Sequence, residues 1–132
     1  MTSSDADKIA VFHKIADAWK NKQWRAVADM LSTDAVLHSM MLDPVVGRET
    51  IYQRFAGMSP SNKQVTLQIE RIGVINGTLF VERRDEITVD DITQSVPVVG
   101  ILEFDGPLIS LWREYYDRAT LLKAQGKTAA AH

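Results

Sequence analysis

Nine consecutive residues in the second half of the chain limit what it can fold into. The run Leu79-Phe80-Val81-Glu82-Arg83-Arg84-Asp85-Glu86-Ile87 alternates as a half-buried strand does. Strand side chains point to opposite faces in turn, so Leu79, Val81, Arg83, Asp85 and Ile87 share one side. That side is apolar at both ends and charged in the middle. A charge placed there needs a partner, because an unpaired buried charge costs several kcal/mol or changes its protonation. An Arg–carboxylate pair lining a cavity meets the need, and such pairs recur in active sites. A purely structural ion pair meets it too, as does a shift of register that turns Arg84 and Glu86 inward.

The surrounding pattern says what could enclose such a cavity. In the first half, Ile9, Phe12, Ile15, Ala16 and Trp19 recur at steps of three and four behind a Ser4/Asp5 N-cap, which predicts a first helix. A short second helix is expected over about Trp24 to Leu31, with Ser32-Thr33-Asp34 as a turn. A short strand follows over Ala35 to Met41, and then a third helix over about Glu49 to Gly57. Beyond Ser59-Pro60-Ser61-Asn62 the chain reads as strands to about Asp117. The first is a long strand from Val65 with an irregularity expected near Gly73. Asn76-Gly77 is a strong hairpin signal, and Asp90-Asp91 and Asp105-Gly106 mark two more turns. This order predicts an α+β domain over residues 6–124, with loose ends at 1–5 and 125–132. A cone-shaped, curved, largely antiparallel sheet carries three helices from the first half of the chain and encloses a pocket.

Composition excludes several functions. The 132 residues carry a net charge of −2, so there is no basic excess to neutralise nucleic-acid phosphates. There is no cysteine, which rules out disulfides, thiolate catalysis and zinc–thiolate sites. His13, His38 and His132 are scattered without a ligand spacing, so a metal site is not expected. No apolar run approaches the roughly 18 residues of a membrane span. The polar, acidic start lacks the features of a secretory signal, and the cytoplasm is the default location.

The last strand adds to the pocket. Leu108, Ser110, Trp112, Glu114 and Tyr116 alternate with Ile109, Leu111, Arg113, Tyr115 and Asp117. If the first set is concave, Glu114 and Asp85 both reach Arg83, whose planar fork can hold two carboxylates at once. Two acids joined this way titrate together, which suits a general acid and a general base. If the set faces outward, Glu114 pairs with a surface cation instead. Val98, Ile101, Leu102, Phe55 and the methionines 40, 41 and 58 are candidates for an apolar wall. Ile109, Leu111 and Tyr115 would form an apolar outer face suited to a two-fold homodimer.

Glu82-Arg83-Arg84-Asp85 and Leu111-Trp112-Arg113-Glu114-Tyr115-Tyr116-Asp117 resemble two motifs of the limonene-1,2-epoxide hydrolase family, Glu-Arg-x-Asp and Trp-Arg-Asp-Tyr-Phe-Asp. Gly47-Arg48 and Gly100 add to the likeness, which runs in order over about residues 6–120. That family lies within the larger nuclear transport factor 2, ketosteroid isomerase and SnoaL-like group. The resemblance implies a cofactor-independent opening of a small apolar epoxide by water. Asp85 would protonate the epoxide oxygen, Arg83 would bridge, Glu114 would deprotonate the water, and Trp112 would stand beside Glu114 as a wall or donor. Leu37 and Ser39 match the positions where the family holds the water with Tyr and Asn, and Tyr116 lines the same region. No metal or organic cofactor is implied. Leu37 cannot hydrogen-bond, Ser39 reaches less far than Asn, and Glu114 is one methylene longer than the family's Asp. An isomerase, a lyase or an epoxide-opening cyclase using the same acids therefore stays open, as does a non-catalytic ligand-binding protein.

Overall fold

The structure is a computed structural model that describes residues 3–126. Expectations for residues 1–2 and 127–132, including His132, lie outside the described residues. Helix α1 spans Asp5–Lys20 and begins with a capping box, in which the Ser4 side chain accepts from Asp7 N–H and the Asp7 side chain accepts from Ser4 N–H. Phe12, Ile15 and Ala18 are its buried face. A short α2 covers Trp24–Ala28, and strand β1 then runs Leu31–Ser39. The expected turn at Ser32-Thr33-Asp34 is instead an irregular stretch of β1, where the pairing with the last strand shifts between Leu31 and Val36. A two-residue strand β2, Val45–Val46, was not expected from the sequence. Helix α3 spans Arg48–Gly57.

Three long strands follow, β3 at Lys63–Ile75, β4 at Thr78–Val89 and β5 at Ile92–Asp105, and then β6 at Leu108–Tyr115. Asn76 and Gly77 both have positive φ (50° and 81°), as a tight type I′ hairpin requires. Asp90 and Asp91 (51° and 69°) do the same at the next turn. The sheet order is β2-β1-β6-β5-β4-β3, antiparallel throughout except for the parallel β1–β6 pair. Strands of 12–14 residues exceed the usual five or six, and their accumulated twist curves this sheet around the helices.

Two bulges decide which side chains face inward. On β3 the register with β4 slips at Glu70, between Ile69 and Arg71, and not at Gly73 as expected. On β6, Leu111 pairs with Glu103 and Ile109 with Phe104, so Ser110 is the extra residue. A bulge shifts the alternation by one. Ile109 therefore turns inward and is fully buried, contrary to its expected place on the outer face, while Leu111 stays half-buried outside. The other unexpected element is α4, Arg118–Ala124. Asp117 caps it by accepting from Thr120 N–H at 3.0 Å, and Leu122 and Ala124 are buried, with Ala124 against Ile87, Val96 and Val98.

The Ser110 bulge makes a sharp stability contrast. Ile109→Ala removes a fully buried side chain and should cost about 2–4 kcal/mol, against less than about 1 kcal/mol for Leu111→Ala. Urea denaturation of the two variants measures the difference, and equal costs would place Ile109 on the surface.

Candidate active site

Strand β4 keeps its expected register. Leu79, Val81, Arg83 and Ile87 are buried on its inner face, and Asp85 is partly buried beside them. Trp112 and Glu114 lie on the inner face of β6, two strands away. The Arg83 guanidinium spans the gap. Its Nε donates to Asp85 Oδ1 at 2.8 Å and its Nη2 to Asp85 Oδ2 at 3.1 Å. Nη1 donates to Glu114 Oε2 at 3.0 Å, and Nη2 also donates to Glu114 Oε1. One planar cation thus holds two carboxylates in two-point contacts. It also lies 5.7 Å from the Phe12 ring centroid. Only 3% of Arg83 is exposed, so both acids are needed to offset its loss of hydration.

This bridge crosses the intervening strand at a single glycine. Gly100 on β5 pairs with Val81 on one side and Glu114 on the other. A Cβ there would fall 2.8 Å from Glu114 Oε2, 2.9 Å from Arg83 Nη1 and 3.1 Å from Val81 Cγ1. The absent side chain is the space through which the guanidinium reaches Glu114.

The electrostatics follow from depth. Burial alone would lower the Arg83 pKa, but the Glu114 and Asp85 carboxylates more than reverse this and hold the guanidinium charged. Burial pushes the Glu114 carboxyl above its ordinary range. The Arg83 charge and hydrogen bonds pull it back only in part, while Asp85 adds to the rise. The buried indole N–H of Trp112 favours the charged form of Glu114 but lacks an acceptor in hydrogen-bonding geometry among the described residues.

The three charged groups stand in the wall of a cavity of about 340 Å³. Leu37, Ser39, Trp112 and Tyr116 line it as well, so the structure brings every candidate residue together. Leu37 pairs with Trp112 and Ser39 with Glu114 across β1–β6, and Met40 N–H donates to Glu114 C=O at 2.9 Å. Of the expected wall, Phe55, Met58 and Val98 line the cavity, whereas Leu102 belongs to the core beneath. Ile101 and Met40 do not line it, and Met41, with φ of 72°, is 94% exposed. His38 is turned away, its Nε2 2.9 Å from Leu42 C=O. Sequence reasoning missed Leu121, Leu122 and Arg118, which α4 brings to the cavity. The Asp117-Arg-Ala-Thr120 cap before paired leucines was the available signal. Among the described residues no group of three or more His, Asp or Glu is placed to hold a metal, and no helix is long and apolar enough to cross a membrane.

Residues 5–127 match the family described as the limonene-1,2-epoxide hydrolase catalytic domain. The chain belongs to that family. An LEH-like epoxide hydrolase from M. tuberculosis superposes with a TM-score of 0.79 at 22% identity, over 92% of this chain and 94% of that one. A protein of ketosteroid isomerase-like fold from Catenulispora acidiphila, solved with trimethylamine, gives 0.79 at 19% identity over 90% and 94%. A protein from Xanthomonas campestris provisionally named a polyketide cyclase gives 0.81 at 12% over 92% and 98%. At these identities the likeness shows a shared fold, and the same fold hosts several chemistries.

The glycine crossing can be tested directly. Gly100→Ala must displace the Arg83–Glu114 bridge or the backbone beneath it. It should cost about 1–3 kcal/mol by thermal or urea unfolding, as overpacking does. An alanine variant of undiminished stability would show that the bridge does not need this space.

Proposed function

We propose that this protein is a cofactor-independent epoxide hydrolase. The observation that carries this reading is two carboxylates held on one buried guanidinium in the wall of a mainly apolar cavity. Each Glu114 oxygen that accepts from Arg83 keeps a second lone pair for a water. Ser39, beside Glu114 in register, offers a hydroxyl to the same water. In the proposed step, the water oxygen forms a bond to an epoxide carbon as Glu114 takes its proton. The carbon–oxygen bond of the ring breaks, and Asp85 passes a proton to the departing oxygen. The product is a vicinal diol. The proton left on Glu114 must return to Asp85, and the two carboxylates stand on the same Arg83 guanidinium. A raised Glu114 pKa strengthens it as a base wherever it is ionised. The Trp112 N–H supplies a further donor beside the reacting atoms.

Leu37 favours a second reading. It occupies the cavity wall where the family resemblance implies a tyrosine, and it gives water nothing to bond. A cyclase, isomerase or lyase would use the same acids without holding a water there.

Asp85→Asn and Glu114→Gln should each lower diol formation from a small apolar epoxide at least about 100-fold while the fold persists, the scale of lost general acid–base catalysis. Leu37→Tyr with Ser39→Asn separates the two readings. Under hydrolysis the pair should raise diol formation; a pair that yields diol only where the wild type yields none points to the second reading. Wild-type protein that binds apolar epoxides and converts none, with Asp85→Asn binding equally well, would leave only a ligand-binding role.

We also propose a two-fold homodimer through the outer face of the sheet. Val99 and Tyr115 are exposed and paired across β5–β6, with half-buried Leu111 nearby. Light scattering at micromolar concentration should give twice the chain mass, and a monomer would sink the idea.

A further inference from the structure

The chain has eight arginines, and six of them hold an acid. Arg25 and Arg48 meet Glu49, Arg71 meets Glu82, Arg84 meets Glu70, Arg113 meets Glu103, and Arg83 holds its two carboxylates. Exposure does not prevent pairing, since the Arg71 side chain is 79% exposed and still finds Glu82. Arg54 on α3 and Arg118 at the start of α4 form no salt bridge among the described residues. Both line the cavity.

They are joined there by Lys22, after α1, and Lys63, at the start of β3. The ammonium groups of these two donate to the carbonyls of Pro60 and Met58. The carbonyl partner of Lys22 leaves its positive charge in place. Among the described residues the only other acid lining the cavity is Asp43, because Asp85 and Glu114 are already bound to Arg83. In a chain of net charge −2, this excess of cations is local and not a product of composition.

Burial orders the groups by depth. Arg83 and Glu114 are buried, Lys22, Lys63 and Arg118 are half-buried, and Arg54 is exposed. Apolar side chains line the same cavity, including Val65, Ile87, Val98 and Leu121. A molecule filling the cavity therefore meets acids and a guanidinium at its inner end, hydrocarbon along its body and cations at its outer end.

We propose that the substrate is an amphipathic acid, with the reactive group on an apolar chain and a carboxylate at the far end held at the rim by Arg54 and Arg118. A carboxylate fits a guanidinium through two parallel hydrogen bonds and is small enough to leave a cavity of about 340 Å³ for the chain. The nature of the reactive group rests on the epoxide reading above; the carboxylate does not.

The test uses two pairs of probes on the full chain. Undecanoate and undecanol, followed by calorimetry, report binding without turnover. The terminal epoxides of undecenoic acid and of its methyl ester report turnover. Undecanoate should bind more tightly than undecanol by about three- to tenfold at low salt, the scale of two solvent-exposed ion pairs, and the preference should shrink as salt is added. In Arg54→Gln/Arg118→Gln the preference should fall to parity, and in Arg54→Lys/Arg118→Lys most of it should return. The ratio of kcat/KM for the acid over the ester should follow the same series, through KM. Equal binding of the two chains by wild type, or a preference that survives the glutamine pair, overturns the proposal. A salt-sensitive preference for undecanoate with no diol from either epoxide would leave the acid site standing and remove the epoxide reading.

Discussion

A guanidinium taken almost wholly out of water is the constraint on which the rest of this structure depends. Arg83 is 3% exposed, and a buried cation without partners costs several kcal/mol. One carboxylate would neutralise it and leave donors unmet. Two carboxylates, one along the Nε edge and one at the Nη end, engage all three nitrogens. That demand reaches outward through the fold. It places Asp85 two residues along β4, brings β6 within reach across β5, and leaves no side chain at Gly100. Removing Arg83 would therefore do more than delete one interaction, since it would leave two acids facing each other over a strand shaped to hold them apart.

The same demand explains why the site was legible in the chain while parts of its frame were not. Strand alternation alone put Arg83 and Asp85 on the face with Leu79, Val81 and Ile87, because β4 has no bulge between them. Glu114 shares a face with Trp112 at the regular end of β6, but alternation alone leaves open whether that face is the inner one, and only the fold decides it. Ile109 was not legible, because one extra residue at Ser110 reverses the alternation, and a bulge between Leu108 and Leu111 leaves no mark in the pattern of apolar residues. Helix α4 was missed for a different reason. It is seven residues long and its periodicity is too short to read, although its aspartate cap was in plain view. Arg54 and Arg118 are an extreme case, since solvent-side cations follow no period and only the tertiary fold shows that α3 and α4 bring them to the same cavity.

The aromatic floor joins the helices to this clamp. Trp19 packs edge-on against Trp24 and Phe55, each at 4.8 Å between centroids, and Phe55 and Phe12 each pack on Trp112 at 5.9 and 6.3 Å. Rings this large and rigid fix the orientation of Trp112, and Trp112 in turn borders Glu114. A cavity wall made of interlocked rings can stay open around a ligand without collapsing on the charged groups. The helices thus contribute walls, and the sheet contributes the charged clamp. Under the proposed function, substitutions on α3 and α4 can change substrate preference without moving the acids on β4 and β6.

Glu114 shows what that division costs. Its folded-state pKa is raised by burial, so the folded protein holds the proton more tightly than the unfolded chain does. Below the ordinary glutamate value of 4.5 both states are protonated and the full contribution to stability is present. As pH rises from there through the folded pKa, that contribution is lost, because ionising the buried group becomes the fold's burden alone. At higher pH Glu114 is consequently an ion the fold would rather not carry, restrained by Arg83. Where stability alone mattered, apolar side chains in place of the whole Arg83–Asp85–Glu114 cluster would serve better at this depth. Retaining a carboxylate there, in the wall of a mainly apolar cavity, is what the proposed role of accepting a proton from a bound water would require.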